Sequence, residues 1–353
     1  MALRRVRITA FRCIAAAELA LDPARNYIFG ANGAGKTSIL EAVFLLGRGR
    51  SFRTRHARTL VKHGEESLTV YGELEEGPRI RRLGAAFGHG HLDKRLDGEN
   101  ATGSALAQVL PMQSLGPDSH ELIEGGPNGR RRLLDWGVFH VEPSYLEIWQ
   151  RYRRLLGQRN SSLKAPAPPN ELRVWTSGLA EAGESMDRLR ATYVSRLELA
   201  VAEQGRALLG AELKLEYRRG WPPDLGLEQA LSASEPRDRL SGHTEVGPHR
   251  ADISVNVDGR RVETVASRGQ QKLVVAALIL GQEQVLAADR GPNGLLLVDD
   301  PAAELDRDAL ERLIARLALV QSQLIFTGLT PMELPPSLSC ARFHVERGSV
   351  RAL

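Results

Sequence analysis

The chain has 353 residues, 42% hydrophobic and 25% charged, so a sizeable core is available and wholesale disorder is excluded. Basic residues exceed acidic ones by 47 to 43, a balance that permits an acidic partner without demanding one. The two cysteines, Cys13 and Cys340, join no CxxC or Cys/His cluster, which disfavours a disulfide scaffold or a thiolate zinc site and predicts a reducing, cytoplasmic compartment.

At this length about two domains are expected. Val6, Ile8 and Phe11 alternate roughly with polar positions, and the run from Asn26 to Phe29 is a short apolar strand ending at Gly30. Ser38 to Leu46 reads as a helix, with Gly47 as its stop. Leu68, Val70 and Leu74 alternate as a half-buried strand does, and the glycine-rich stretch from Gly84 to Gly103 reads as turns. From Pro143 the character changes. Tyr145, Ile148, Trp149, Tyr152, Leu155 and Leu156 fall at helical spacing, and the proline-rich segment Lys164–Asn170 ends that helix. A second pattern, from Leu172 to Leu209, would be about 57 Å long as a helix. Two helices joined by such a turn predict either an antiparallel arm or two packed helices of a compact lobe.

After Gly242 the strand pattern returns. Ile253, Val255 and Val257 alternate up to a hairpin turn at Asp258-Gly259. A helix from Gly269 to Ala288, a buried strand Leu295–Val298, a helix from Arg307 to Leu319 and a strand Gln323–Phe326 follow. The longest apolar run, Leu273–Leu280, has eight residues where a membrane helix needs roughly 20. Arg12 and Glu18 interrupt the first apolar stretch, so no signal peptide is predicted either. The fold class is α/β, divided as 1–138, a helical lobe at 139–240, and 241–353.

Gly30-Ala31-Asn32-Gly33-Ala34-Gly35-Lys36-Thr37 fits GxxxxGK[ST], between an apolar strand and an apolar helix. Glycines let the backbone wrap closely around phosphates and offer them N–H groups and a helix N-terminus. Lys36 would reach the β- and γ-phosphates, and Thr37 would ligate Mg²⁺. Asp299 and Asp300 follow the Leu295–Val298 strand, at the end where open α/β sheets bind ligands. Asp299 is the metal candidate and Asp300 the residue that would act on the attacking water. Alone, the pair could equally be a helix cap or a solvated turn. Ser267, Gly269 and Gln270 fit the Ser-x-Gly-Gln signature of ABC-type ATPases, where it meets the γ-phosphate held by the opposite subunit; alone it could be an ordinary capped helix. Gln113 stands where such enzymes place a glutamine that senses Mg²⁺ and water. Lys36 and Ser267 are 231 residues apart, far more than in transporter ATPases, and the helical insertion between them is the SMC-type design.

The chain resembles the RecF family of bacterial DNA replication and repair proteins. The matching segments are Phe11-Arg12, Gly30–Thr37 with Leu40-Glu41-Ala42, Gly49–Thr54, Pro117-Asp118, and Leu122–Pro127 with Arg130-Arg131 and Leu134-Asp135-Trp136. Gly247–Asp252, Ser267–Gln270 and Asp299–Asp306 complete the series; the Glu-Gly-Gly-Pro and Gly-Pro-His segments are the most specific. The resemblance implies an ABC-type ATPase head split by a helical arm lobe. It also implies ATP and DNA binding, slow ATPase activity used as a switch, and an ATP-dependent homodimer. Work with RecO and RecR to load RecA at gaps, on double-stranded or gapped DNA and linked to the SOS response, follows in the same way. Cys13 where asparagine is common, and Ala303 where serine is usual, depart from the pattern. Thr327 occupies the region of the transporters' switch histidine, which predicts slow turnover.

Between Gly47 and His63 lie Arg48, Arg50, Arg53, Arg55, Arg58 and Lys62 with no acidic residue, and Arg130, Arg131 and Arg132 form a second cluster. Either could supply phosphate contacts to nucleic acid or be a solvated face. Only 5% of residues are aromatic, which disfavours a stacking platform for single strands and favours sequence-independent duplex binding. A transporter ATPase subunit is the alternative function.

Overall fold

The computed structural model describes residues 1–164, 169–331 and 340–353, in two units. The first comprises Met1–Ser119, Ala207–Leu209 and Arg268–Leu353; the second comprises His120–Arg206 and Gly210–Ser267. The insertion is therefore wider than 139–240. It takes in the helix Pro127–Val141 and the strand Asp252–Val257, which pairs with Leu213–Arg218 inside it.

Two six-stranded sheets build the first unit. One is antiparallel, in the order Ile14–Ala20, Ala2–Phe11, Leu68–Glu76, Arg79–Gly88, His91–Leu96, Glu99–Asn100. The other runs Ser349–Ala352, Ala341–Glu346, Arg25–Phe29, Gln323–Gly328, Leu295–Val298, Met112–Leu115, and all but its first strand are parallel. The helix Lys36–Arg48 packs with strands of both sheets, and Ser38 to Gly47 are buried on every side of it. Its Ile39, Leu40, Val43 and Leu46 share one core with Leu3, Val6 and Ile8 of the antiparallel sheet and Leu295, Leu297 and Ile325 of the parallel one. An isolated helix of this length is marginal in water. Burial, at ~1.5–3 kcal/mol for each large apolar side chain, is what holds it.

Two local expectations are corrected. Gly47 does not stop the helix: it lies inside, where a Cβ would come 2.8 Å from Met112 Cε, and the stop is Gly49 at φ 62°. The stretch from Gly84 to Gly103 is not turns throughout, because Arg79–Gly88 and His91–Leu96 pair as a hairpin. The signal was the alternation of Leu83, Ala85 and Phe87, all buried, which the nearby glycines obscured.

In the second unit the helices Tyr145–Lys164 and Pro169–Leu209 run antiparallel over the residues where they meet, as Ser162 bonds Glu171, Arg159 bonds Thr176 and Arg151 bonds Glu181. The central residues of the proline-rich turn, 165–168, lie outside the described residues. The pair is not bare: Arg159, fully buried, reaches Asp238 on the helix Leu227–Ser241 at 2.7 Å and Thr244 at 2.7 Å. A three-stranded sheet, Leu213–Arg218, Asp252–Val257 and Arg260-Arg261, completes this unit. No helix among the described residues is long and apolar enough to cross a membrane.

Candidate nucleotide site and basic surfaces

The parallel strand Arg25–Phe29 delivers the chain into the loop Gly30–Gly35 at the carboxyl end of the sheet. Gly30 is required sterically: a Cβ there would sit 2.1 Å from the Val345 carbonyl oxygen, and its φ is 155°. Gly35, at φ 118°, begins the helix Lys36–Arg48 with no side chain capping it. The first N–H groups of that helix are thus left to an incoming anion, with the helix dipole behind them. Lys36 is 7% exposed, and its ammonium donates to the Gly30 and Ala31 carbonyls at 2.7 and 3.0 Å. It is folded back over the loop it belongs to. Ala31, Asn32 and Gly33 are exposed at the rim, while Ala34 is buried.

The strand Leu295–Val298 is separated from Arg25–Phe29 by one strand, Gln323–Gly328. All three end at the same side, and a hydroxyl relay ties their ends together. Thr37 Oγ1 donates to Asp299 Oδ2 at 2.8 Å, and Thr327 Oγ1 donates to Asp299 Oδ1 at 2.8 Å. The Asp300 N–H donates to Thr327 Oγ1 at 2.9 Å. Thr327 is therefore not merely a missing histidine; it orients both aspartates. Asp300 sits at φ 44°, an uncommon conformation for a residue with a side chain.

Lys272 adds a support that the sequence reading missed. It is 1% exposed, and its ammonium donates to the Asp300 and Ala303 carbonyls at 3.0 and 2.6 Å. Burial pushes its pKa down, against the attraction of Asp300, Glu304 and Asp299. Gly269 closes on the same segment, since a Cβ there would lie 2.7 Å from the Glu304 carbonyl oxygen. Gly269 and Gln270, at the start of the helix Arg268–Arg290, belong to the first unit; Ser267 is the last residue of the second.

Gln113 is placed differently from the expectation. It lies inside the strand Met112–Leu115, in register with Leu296, and its amide nitrogen donates to Gln282 Oε1 in the interior. The residue beside the aspartate is Gly116, whose Cβ would stand 4.0 Å from Asp299 Cβ. A side chain committed to a buried partner three positions short of Asp299 is not positioned as a metal ligand.

The two basic clusters separate cleanly. Arg130 is 8% exposed and bidentate on Asp252 at 2.8 and 3.0 Å, with further bonds to the Leu122, Ile123 and Gly125 carbonyls. Arg131 donates to the Ala251 carbonyl and to Asn128, and Arg132 Nε donates to the Asn128 carbonyl at 3.2 Å, though it stays exposed. Arg130 is a structural clamp that joins the Glu-Gly-Gly-Pro segment to the Gly-Pro-His segment. His249 of the latter is bonded at both ring nitrogens. Nε2 donates to the Thr244 carbonyl at 2.9 Å, so Nδ1 accepts from Tyr152 at 2.7 Å; burial holds its pKa down to about 4. In the other cluster, Arg53, Arg55 and Arg58 are exposed and carry no ion pair among the described residues. Arg50 is exposed and Lys62 partly so, while Arg48 lies over the Phe44 ring, 5.9 Å from its centroid, with its pKa lowered to about 10 chiefly by burial.

A phosphate loop, an aspartate pair one strand away and a signature helix abutting that pair's segment define an ABC-type ATPase head, here interrupted by an inserted unit. The family model "RecF/RecN/SMC N terminal domain" matches residues 2–335. The DNA replication and repair protein RecF of Shewanella loihica is 36% identical, over 100% of both chains. That of Stenotrophomonas maltophilia is 41% identical, again over 100% of both. The solved structure of the recombination mediator protein RecF with ATP, in the RecFOR pathway, superposes with a TM-score of 0.87 at 24% identity, covering 100% of this chain and 97% of that one. The chain belongs to the RecF family of DNA replication and repair proteins. The transporter alternative is accordingly disfavoured.

Proposed function

We propose that this chain is an ATP-dependent DNA-binding protein of recombinational repair that binds ATP with Mg²⁺ at Gly30–Thr37 and Asp299 and acts with RecO and RecR in promoting RecA loading. The observation that carries the nucleotide reading is the Thr37–Asp299 bond at the end of the parallel sheet, beside an uncapped helix N-terminus. Thr37 Oγ1 and Asp299 Oδ2 are hard oxygen donors held side by side, which fits a small divalent cation. When bound, Mg²⁺ would neutralise charge on the β- and γ-phosphates. Lys36 would exchange its two carbonyls for phosphate oxygens, a gain in charge-assisted bonding. Asp300 has its N–H held by Thr327 and its C=O by Lys272, which preorganises its carboxylate to orient or deprotonate a water. The bound form of RecF named above supports ATP as the nucleotide.

In this reading ATP lies between Lys36 of one subunit and Ser267 of the other, and hydrolysis is a slow switch. Ser267→Arg is expected to retain ATP binding and block pairing, because a long cation fills the space that the γ-phosphate must enter. Asp300→Asn is expected to bind ATP, pair and stay paired. Sedimentation with ATP, with and without duplex DNA, separates the two. A Ser267→Arg variant that binds ATP and still dimerises would refute the trans-acting signature.

The DNA surface is assigned to the Arg48–Lys62 segment, with Arg53, Arg55 and Arg58 as its phosphate contacts. The burial of Arg130 on Asp252 supports this cluster over the second one. Replacing the three arginines together by alanine should weaken duplex binding for every base sequence and reduce the slope of log K against log salt by roughly 2 to 3. An unchanged slope would place the DNA elsewhere.

A further inference from the structure

The segment that carries those arginines is anchored by an ion pair, Arg12 with Glu41, and by the Ser51 hydroxyl. Glu41 lies one turn after Thr37 on the phosphate-loop helix and is fully buried, an unusual place for a carboxylate unless it is paired. Arg12 Nε and Nη2 donate to its two oxygens at 2.9 and 2.8 Å, and the Ser51 hydroxyl donates to Oε1 at 2.5 Å. Ser51 Oγ in turn accepts from the Arg53 and Thr54 N–H groups at 2.9 and 3.1 Å. The remaining arm of Arg12, Nη1, donates to the Thr59 carbonyl at 2.9 Å. Both ends of the 51–59 segment are thus tied to one buried carboxylate. The main chain reinforces the far end: the Arg12 N–H donates to the Leu60 carbonyl at 2.7 Å, and the Lys62 N–H donates to the Ala10 carbonyl at 2.9 Å.

From this geometry we infer that Glu41, through Arg12 and Ser51, is the positioning residue that fixes the basic 51–59 segment to the phosphate-loop helix and presents Arg53, Arg55 and Arg58 as one rigid face to a nucleic-acid backbone. Three exposed like charges within six residues repel one another, and the anchoring offsets that repulsion before DNA arrives. Preordering the segment removes an entropy cost from binding. The phosphate loop and the basic face are therefore parts of one rigid element, joined through a single turn of helix. The DNA role rests on the assignment of the basic segment made above; the anchoring itself does not.

The test uses the full chain and Ser51→Ala, with Ser51→Thr as the variant that keeps the hydroxyl. Limited trypsin digestion reads the order of the segment directly, because its cleavage sites are Arg53, Arg55 and Arg58. Ser51→Ala should be cut there about tenfold faster than wild type, from the loss of three hydrogen bonds. Ser51→Thr should be cut at close to the wild-type rate. The affinity of Ser51→Ala for a fluorescent duplex should fall several-fold while its affinity for ATP stays unchanged. Glu41→Gln should behave as Ser51→Ala does, and more strongly. Unchanged cleavage in Ser51→Ala overturns the anchoring. Faster cleavage with unchanged duplex affinity overturns the DNA role of the segment and leaves the anchoring standing as structure alone.

Discussion

Replacing Lys36 by alanine is expected to weaken ATP binding by a factor of roughly a hundred or more while leaving the protein folded. The ammonium is aimed at the loop, not at the core: its partners are the Gly30 and Ala31 carbonyls, at the carboxyl end of the sheet. Two charge-assisted bonds to phosphate oxygens, each ~1.5–3 kcal/mol, are lost with it. The apolar packing of the helix around Ile39, Leu40 and Val43 is untouched, so the melting temperature should fall by only a few degrees. A fluorescent ATP analogue titrated against wild type and variant gives the affinity, and calorimetry gives the melting temperature. Equal affinities would remove the nucleotide assignment. A collapse of the melting temperature would show instead that Lys36 serves the fold.

The phosphate loop and the aspartate pair were legible because their chemistry is local. Glycines, a lysine and a hydroxyl must be contiguous to wrap a phosphate, and an apolar strand before Asp299 sets its place on the sheet. The residues that hold these groups in position were not legible, since each works across a long stretch of chain. Thr327 meets Asp299 from 28 residues away, and Lys272 meets Ala303 from 31. Arg130 illustrates the limit most clearly. In sequence it is one of three consecutive arginines and reads as a solvated or nucleic-acid face. Its partner Asp252 is 122 residues distant, and no periodicity announces that pairing. Gln113 failed for the opposite reason. It stood at a plausible distance along the chain from the phosphate loop, but strand register, which spacing does not reveal, put it opposite Leu296 and turned it to Gln282. The helical insertion was legible as a pair of helices, because apolar residues at helical spacing over several turns report burial. The strand Asp252–Val257 was legible too, by its alternation up to Asp258-Gly259, whereas the strand Leu213–Arg218 and the helix Leu227–Ser241, with Pro236 inside it, find their partners only within the folded unit.

A fully buried ion pair lies among the helices of the inserted unit, and breaking it should be strongly destabilising. Arg159 and Asp238 are both fully buried and meet at 2.7 Å. Arg159 also donates to Thr244 at 2.7 Å, Thr176 at 3.1 Å and the Leu231 carbonyl at 3.3 Å, while Ser234 and the Glu245 N–H donate to Asp238. Three helices and the approach to the Gly-Pro-His segment converge on this pair. Arg159→Met keeps the unbranched stem of the side chain but removes the guanidinium and leaves Asp238 as an uncompensated buried charge, for which ~3–5 kcal/mol is the usual cost. The chain itself supplies the probe. Its four tryptophans, Trp136, Trp149, Trp175 and Trp221, all lie in the second unit, so intrinsic fluorescence reports that unit and not the nucleotide site. In urea the fluorescence midpoint of Arg159→Met should shift down by roughly 1–5 M, given a slope of about 1–3 kcal/mol/M. A double variant, Arg159→Met with Asp238→Leu, should recover part of the loss, because the stranded charge is gone. Binding of a fluorescent ATP analogue without denaturant should be unchanged in both variants, since every group that contacts the phosphates in the proposed site within one subunit belongs to the first unit. A midpoint within 0.3 M of wild type, or about that, would mean that water or a neighbouring dipole compensates Asp238, and that the pair sets local geometry and not stability.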